Sequence, residues 1–228
     1  PLDKVLALTG YQADCYDMVN TGLATHFIEG DKLDALERDL SNLYPFDDEA
    51  SAAFVLDEMM SLYSSGNSRE DDAFANDFKW VPVDPDDSKD APFRLGEHKG
   101  SLLVDLAVAF QDAFNEDSVI GVVERLKEVK GSDTEDVEIK DHAARFLDGI
   151  EARSPLAVHA TFRLLNEGRA RQTLEDCLQR EEAVQSKLME GSDFKAWAGR
   201  DAGSSSSPVW KHKTVADVTA DEVEELFG

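Results

Sequence analysis

The chain has 228 residues, 42% of them hydrophobic, enough for one large domain or two small ones around a substantial core. With 48 acidic against 23 basic residues the formal net charge is -25. The average surface therefore repels phosphate backbones and anionic membranes, and neither direct nucleic-acid binding nor membrane binding is expected. Cys15 and Cys177 have no CxxC or other metal-ligand spacing, which points to a reducing compartment and to no metal site.

In chain order, Leu2, Val5, Leu6 and Leu8 read as the last turns of a helix stopped by Thr9-Gly10. A chain that opens inside an element suggests a preceding segment. A short helix is expected over Tyr16–Val19. Gly22–Ile28, with β-branched and aromatic residues between turn signals, reads as a short strand. Asp31 can cap a helix carrying Leu33, Leu36, Leu40 and Leu43, closed by Pro45. Asp48–Tyr63 makes a wider apolar helix in which Met59 and Met60 read as gap-filling core.

Ser64–Gly100 carries Ser, Pro and an acidic run at Asp84, Asp86, Asp87 and Asp90. That run lacks the turn glycine and closing glutamate of a calcium loop, and reads as a solvated insertion. Helical patterning resumes at Leu102–Phe114, continues from a Ser118 cap to Gly131, and returns over Thr134–Ala152 with Val137, Ala144, Leu147 and Ile150 inward.

Ser154-Pro155 is a helix start and Gly168 its stop, with Val158, Phe162 and Leu165 on the buried face. The next helix, from about Gln172 to Glu190, is expected to bury Leu174, Leu178, Val184 and Leu188. Glu181 falls on that stripe. A partly buried carboxylate needs a partner such as Arg163, so Glu181 reads as a structural tether between helices rather than a general base. Ser192 can cap a short helix, Gly203–Pro208 reads as a linker, and Thr219 with Glu222 has capping-box spacing before a last helix.

No GxSxG, HExxH, Walker or GxGxxG motif is present, and neither cysteine has a histidine nearby in sequence. His26 reads from its surroundings as a satisfied structural histidine. Residue patterns alone define a largely helical, acidic protein.

Several strings together carry a resemblance: Leu6-Ala7-Leu8-Thr9-Gly10, then Gly22-Leu23-Ala24-Thr25-His26-Phe27, then Ser154-Pro155, Gly168, Leu174, Cys177-Leu178, Glu181, Met189, Asp193-Phe194, and finally Pro208-Val209-Trp210. The chain resembles the C-terminal half of 3-hydroxyisobutyryl-CoA hydrolases, of the enoyl-CoA hydratase/isomerase or crotonase-like superfamily. The resemblance spans nearly the whole chain in order and is weak over Asp47–Gly100.

It implies a mainly α chain with one short strand, the helical C-terminal part of a crotonase-like α/β fold. The implied divisions are 1-46 as the end of the core, 47-100 as a helix plus acidic insertion, 101-199 as a helical domain and 200-228 as linker and last helix. It also implies an acyl-CoA substrate, no further cofactor, a mitochondrial-matrix location in valine breakdown or otherwise a cytoplasmic or peroxisomal one, and partnership with the N-terminal half of the same protein, with room for homo-oligomer contacts. In the family, thioester hydrolysis uses backbone N–H groups and acidic residues on the N-terminal side of the LALTG motif. No catalytic residue is therefore carried over, and Thr25 and His26 are the substrate-proximal candidates. The family's Gly-Val-Arg-Ala-like helix after Asp-Phe is replaced by Lys195–Asp201. That departure favours a non-catalytic scaffold subunit of a larger assembly as an alternative reading, and another enoyl-CoA hydratase/isomerase is the other.

Overall fold

The computed structural model describes residues 1–43, 49–64, 101–133, 135–169, 173–200 and 208–228. Expectations for the 64–100 insertion beyond Ser64, the Pro45 stop and the serine linker lie outside the described residues. The chain divides into two compact units, one of Pro1–Gln12 with Ala107–Gly228 and the other of Ala13–Leu106.

In the second unit, α2 (Cys15–Asn20) starts at a reciprocal capping box between Asp14 and Asp17. A 3-10 turn (Gly30–Lys32) leads into α3 (Leu33–Ser41), which packs on α4 (Glu49–Tyr63), and the Tyr63 hydroxyl donates to the Asp39 carboxylate. Asp31 lies inside the 3-10 turn and is not the cap: Lys32 precedes α3 with no side-chain cap bond.

The short strand expected over Gly22–Ile28 does not form, and no strand is found among the described residues. Its polar backbone groups are taken elsewhere. The Ala24 N–H donates to the Met18 carbonyl at 2.8 Å, closing the end of α2, and the Phe27 carbonyl accepts from the Ser64 hydroxyl at 3.1 Å. Apolar residues without a neighbouring edge to pair with remain irregular chain.

The first unit is helix packed on helix. It comprises α1 (Leu2–Thr9), α6 (Gln111–Phe114), α7 (Val119–Gly131), α8 (Val137–Glu151), α9 (Pro155–Gly168), α10 (Leu174–Glu190), α11 (Ser192–Ala198) and α12 (Ala220–Phe227). The chain reaches α6 through α5 (Leu102–Ala109), so the single helix expected over 102–114 is broken at Phe110. Ser118, Ser154 and Thr173 cap α7, α9 and α10 with their hydroxyls, and Asp136 caps α8 with its carboxylate.

The main core gathers Val5 and Leu8 of α1, Phe110 and Phe114, Val122 and Leu126 of α7, Phe146 and Ile150 of α8, and Phe162 of α9. Phe146 receives both neighbouring phenylalanines edge to face, with ring centroids 5.1 Å from Phe110 and 5.7 Å from Phe114. Such pairs add about 0.5–1.5 kcal/mol beyond area burial. Val137, expected inward, is exposed, while His142 on the same helix is buried, and burial pushes its pKa down.

One charge enters this core. Lys4 is buried, its ammonium donating to the Glu116 carbonyl at 3.3 Å and lying 4.3 Å from the Phe162 ring centroid. Burial lowers its pKa, and the aromatic face offsets part of the lost hydration. Nearby, α1 and α8 approach so closely that a Cβ on Gly149 would stand 2.1 Å from the Thr9 carbonyl oxygen.

A satellite cluster of Ala160, Val184 and Leu226, with Leu188 and Phe227 against it, joins α9, α10 and α12. Arg163 ties the same helices, donating to Glu167 at 2.7 Å and to Glu224 at 2.9 Å and stacking 4.1 Å from the Phe227 centroid.

Candidate functional site

Thr25 and His26 lie in the irregular segment after α2. The His26 Nδ1 is 2.9 Å from the Thr25 hydroxyl, while Nε2 faces Ser61 at 3.5 Å and the Asp57 carboxylate at 3.8 Å, both on α4. Asp57 and Ser61 are one helical turn apart, so a single face of α4 presents both to the ring. A proton on Nε2 suits the carboxylate and leaves Nδ1 to accept from Thr25. Serine and aspartate share one ring nitrogen here. A nucleophile–base–orienter relay needs its hydroxyl and its carboxylate on opposite nitrogens; Thr25 and Asp57 stand so, but Asp57, 3.8 Å from Nε2, is beyond hydrogen-bond reach, so the cluster holds an imidazole and a hydroxyl without a closed relay.

Ser154, Asp193 and Lys211, the residue after the Pro208-Val209-Trp210 string, meet though they are far apart in sequence. The Ser154 hydroxyl donates to one oxygen of the Asp193 carboxylate and accepts from the Ala157 N–H. The other carboxylate oxygen accepts from the Lys211 N–H at 2.7 Å. One carboxylate thus joins the start of α9, the start of α11 and the returning chain. These residues form a structural clasp. We expect Asp193→Ala to cost about 0.5–1.5 kcal/mol, the net worth of an ordinary hydrogen bond, since water can replace the carboxylate at the exposed Lys211 N–H. Hydrogen exchange checks this: the Lys211 amide should lose protection while the core amides of α8 keep theirs.

Beyond the clasp, Glu222 gathers donors from Lys211 Nζ, from His212 Nε2 at 3.0 Å, and from the Thr219 N–H and hydroxyl at 3.0 Å. The Lys211 ammonium first, then the Thr219 backbone, hold its carboxyl down to about 2. A carboxyl depressed in the folded state stabilises above its unfolded value of 4.5, and that contribution is lost as pH falls through about 2. The Glu222 side-chain NMR signal is expected to titrate near the lower value, and Lys211→Ala to move it upward. A midpoint near 4.5 in the unmodified protein would refute the arrangement.

Glu181 does not occupy the partly buried position expected of it. It is exposed, and Arg163, the suggested partner, binds Glu167 and Glu224 instead. The face of α10 expected to be buried is split: Val184 is buried and Leu188 packs beside it, but Leu174 and Leu178 are exposed. At the departure after Phe194, Arg200 donates to the Trp197 carbonyl at 3.2 Å and lies 5.8 Å from its ring centroid. Sequence reasoning missed Asp57 and Ser61, for which an i, i+4 polar pair on a largely apolar helix was the available signal. Among the described residues no helix is long and apolar enough to cross a membrane, and no group of three or more His, Cys, Asp or Glu could hold a metal ion.

The helical architecture and these strings agree with a family-wide match. A family model described as enoyl-CoA hydratase/isomerase matches residues 2–82 and 88–227, and the chain belongs to that family. Among curated relatives, the mitochondrial 3-hydroxyisobutyryl-CoA hydrolase of Danio rerio is 28% identical over 233 residues, covering 100% of this chain and 49% of that protein. The mitochondrial 3-hydroxyisobutyryl-CoA hydrolase of Homo sapiens is 26% identical over 227 residues, covering 99% of this chain and 48% of that protein. The chain thus spans about half the length of the curated relatives it matches, their C-terminal half. A crystal structure of a carnitinyl-CoA dehydratase from Mycobacterium thermoresistibile superposes with a TM-score of 0.65 at 21% identity, covering 100% of this chain and 51% of that one. This last likeness concerns the fold alone.

Proposed function

We propose that this chain is the C-terminal portion of an acyl-CoA thioester hydrolase resembling 3-hydroxyisobutyryl-CoA hydrolase, acting in valine catabolism in the mitochondrial matrix, with the catalytic groups in the other half of the fold. The observation that carries this reading is the alignment of essentially the whole chain with half of each hydrolase. It also accounts for a described site that orients Thr25 and His26 without supplying a hydrolytic triad. In this reading Thr25 and His26 stand beside the acyl-CoA, the coenzyme is part of the substrate, and the N-terminal half is the obligatory partner. Fold likeness by itself assigns no activity.

The test is thioester cleavage, followed as release of the CoA thiol from 3-hydroxyisobutyryl-CoA. The protein with both halves of the family fold is expected to turn over, and these 228 residues alone are not. A two-half protein that is folded and leaves the thioester intact would overturn the hydrolase and favour the non-catalytic scaffold. Turnover by this chain alone would overturn the division of labour.

A further inference from the structure

The geometry points to the outward face of α10, formed by Leu174, Leu178, Glu181, Gln185 and Met189, as the surface on which the other half of the enoyl-CoA hydratase/isomerase fold docks; this rests on the functional reading above. These residues follow one another at spacings of three or four, so they form one stripe along the helix. Leu174, Leu178 and Met189 are 75%, 53% and 55% exposed. Single exposed leucines are ordinary, but three large apolar side chains on one helical face mark a contact surface.

The helix already has a face for its own chain: Val184 sits in the satellite cluster with Ala160 and Leu226, and Leu188 packs beside it. The outward stripe is therefore a second apolar face that the described part of this chain leaves uncovered. Its residues Leu174, Leu178, Glu181 and Met189 are among those that carry the family resemblance. The relatives are about twice the length of this chain, and half of each has no counterpart in these 228 residues.

Charge selects between occupants. Two copies of this chain would bring together two surfaces of net charge -25 and oppose Glu181 with like charge, and an anionic membrane would be repelled in the same way. The occupant that fits presents an apolar groove with a lysine, an arginine or free backbone N–H groups facing Glu181. Glu181 is then a tether between the two halves. No hydrogen bond or ion pair to it is found among the described residues.

Cysteine labelling of the protein containing both halves tests this, with sites at Leu178→Cys, Met189→Cys and, as an exposed control on α7, Lys127→Cys, each resolved by mass spectrometry. Labelling at 178 and 189 is expected to be slower than at 127 by about tenfold or more, as for local opening of a packed contact. In this chain alone all three should react at similar rates. Glu181→Lys should lower the thermal midpoint of the two-half protein and leave that of this chain unchanged. Fast labelling at 178 and 189 in the two-half protein would overturn the proposal, as would protection that appears only at high concentration and so reports a second copy. Protection without thioester cleavage would sink the hydrolase reading and leave the docking face standing. Cleavage without protection would do the reverse.

Discussion

Asp17→Ala is expected to destabilise the unit of Ala13–Leu106 by about 2–4 kcal/mol, the cost of stranding several buried donors at once. Asp17 is 1% exposed. One carboxylate oxygen accepts from the Ser101 hydroxyl at 2.7 Å and from the Leu103 N–H at 2.9 Å; the other accepts from the Asp14 N–H at 3.2 Å. The same side chain thus closes the capping box of α2 and, from 86 residues away, satisfies an orphan donor at the start of α5. Without it the Leu103 amide has no acceptor and cannot reach water. Asp17→Asn keeps one acceptor oxygen but turns an NH2 toward a donor, so its cost should fall between wild type and alanine. Urea unfolding measures the loss, and hydrogen exchange localises it: Leu103 should become the least protected amide of its helix. Full protection at Leu103 in the alanine variant would refute the bond.

Gly149→Ala is expected to destabilise the other unit, against the sign that helix propensity predicts. Alanine in a helix interior is favoured over glycine by about 1 kcal/mol, and an unobstructed site would gain that amount. Here the new Cβ would lie 2.1 Å from the Thr9 carbonyl oxygen, a backbone atom that no rotamer change can move. α1 and α8 must separate, which opens the contact that buries Val5, Leu8 and Ile150. Overpacking of this kind costs about 1–3 kcal/mol, enough to reverse the propensity gain. Gly149→Val should cost more. Chemical denaturation of the two variants decides the sign, and stabilisation by alanine would show that the helices do not meet as described.

Both effects arise from residues that are inconspicuous in the sequence. Asp17 looks like one more acidic residue in a chain with 48 of them, and Gly149 sits in a helical run whose apolar periodicity predicts the helix with or without it. Local grammar found the Ser118 and Ser154 caps, the Thr219–Glu222 box and the Gly10 stop, because each depends on atoms within four residues. It failed at Gly22–Ile28, where composition favours a strand but strand formation requires a neighbouring edge. It also failed along α10, where apolar spacing shows that a stripe exists but not which neighbour covers it.

The site was legible in the same partial way. Thr25 and His26 stood out through the family resemblance, whereas their meeting with Asp57 and Ser61 depends on how α4 lies against the segment after α2. The Ser154, Asp193 and Pro208-Val209-Trp210 strings were visible as a family signature. Only the folded chain shows that the Asp193 carboxylate ties Ser154 to Lys211, the residue that follows the last of them.

Helix positions, caps and family membership could be read from the order of residues, because they are properties of short windows and of string similarity. The burial of Lys4 and Asp17, the exposure of Leu174, Leu178 and Glu181, and the loss of the strand emerged only in three dimensions. Burial and pairing depend on what a distant part of the chain brings to the same place, and a carboxylate or a leucine carries no mark of its neighbour in its own sequence window.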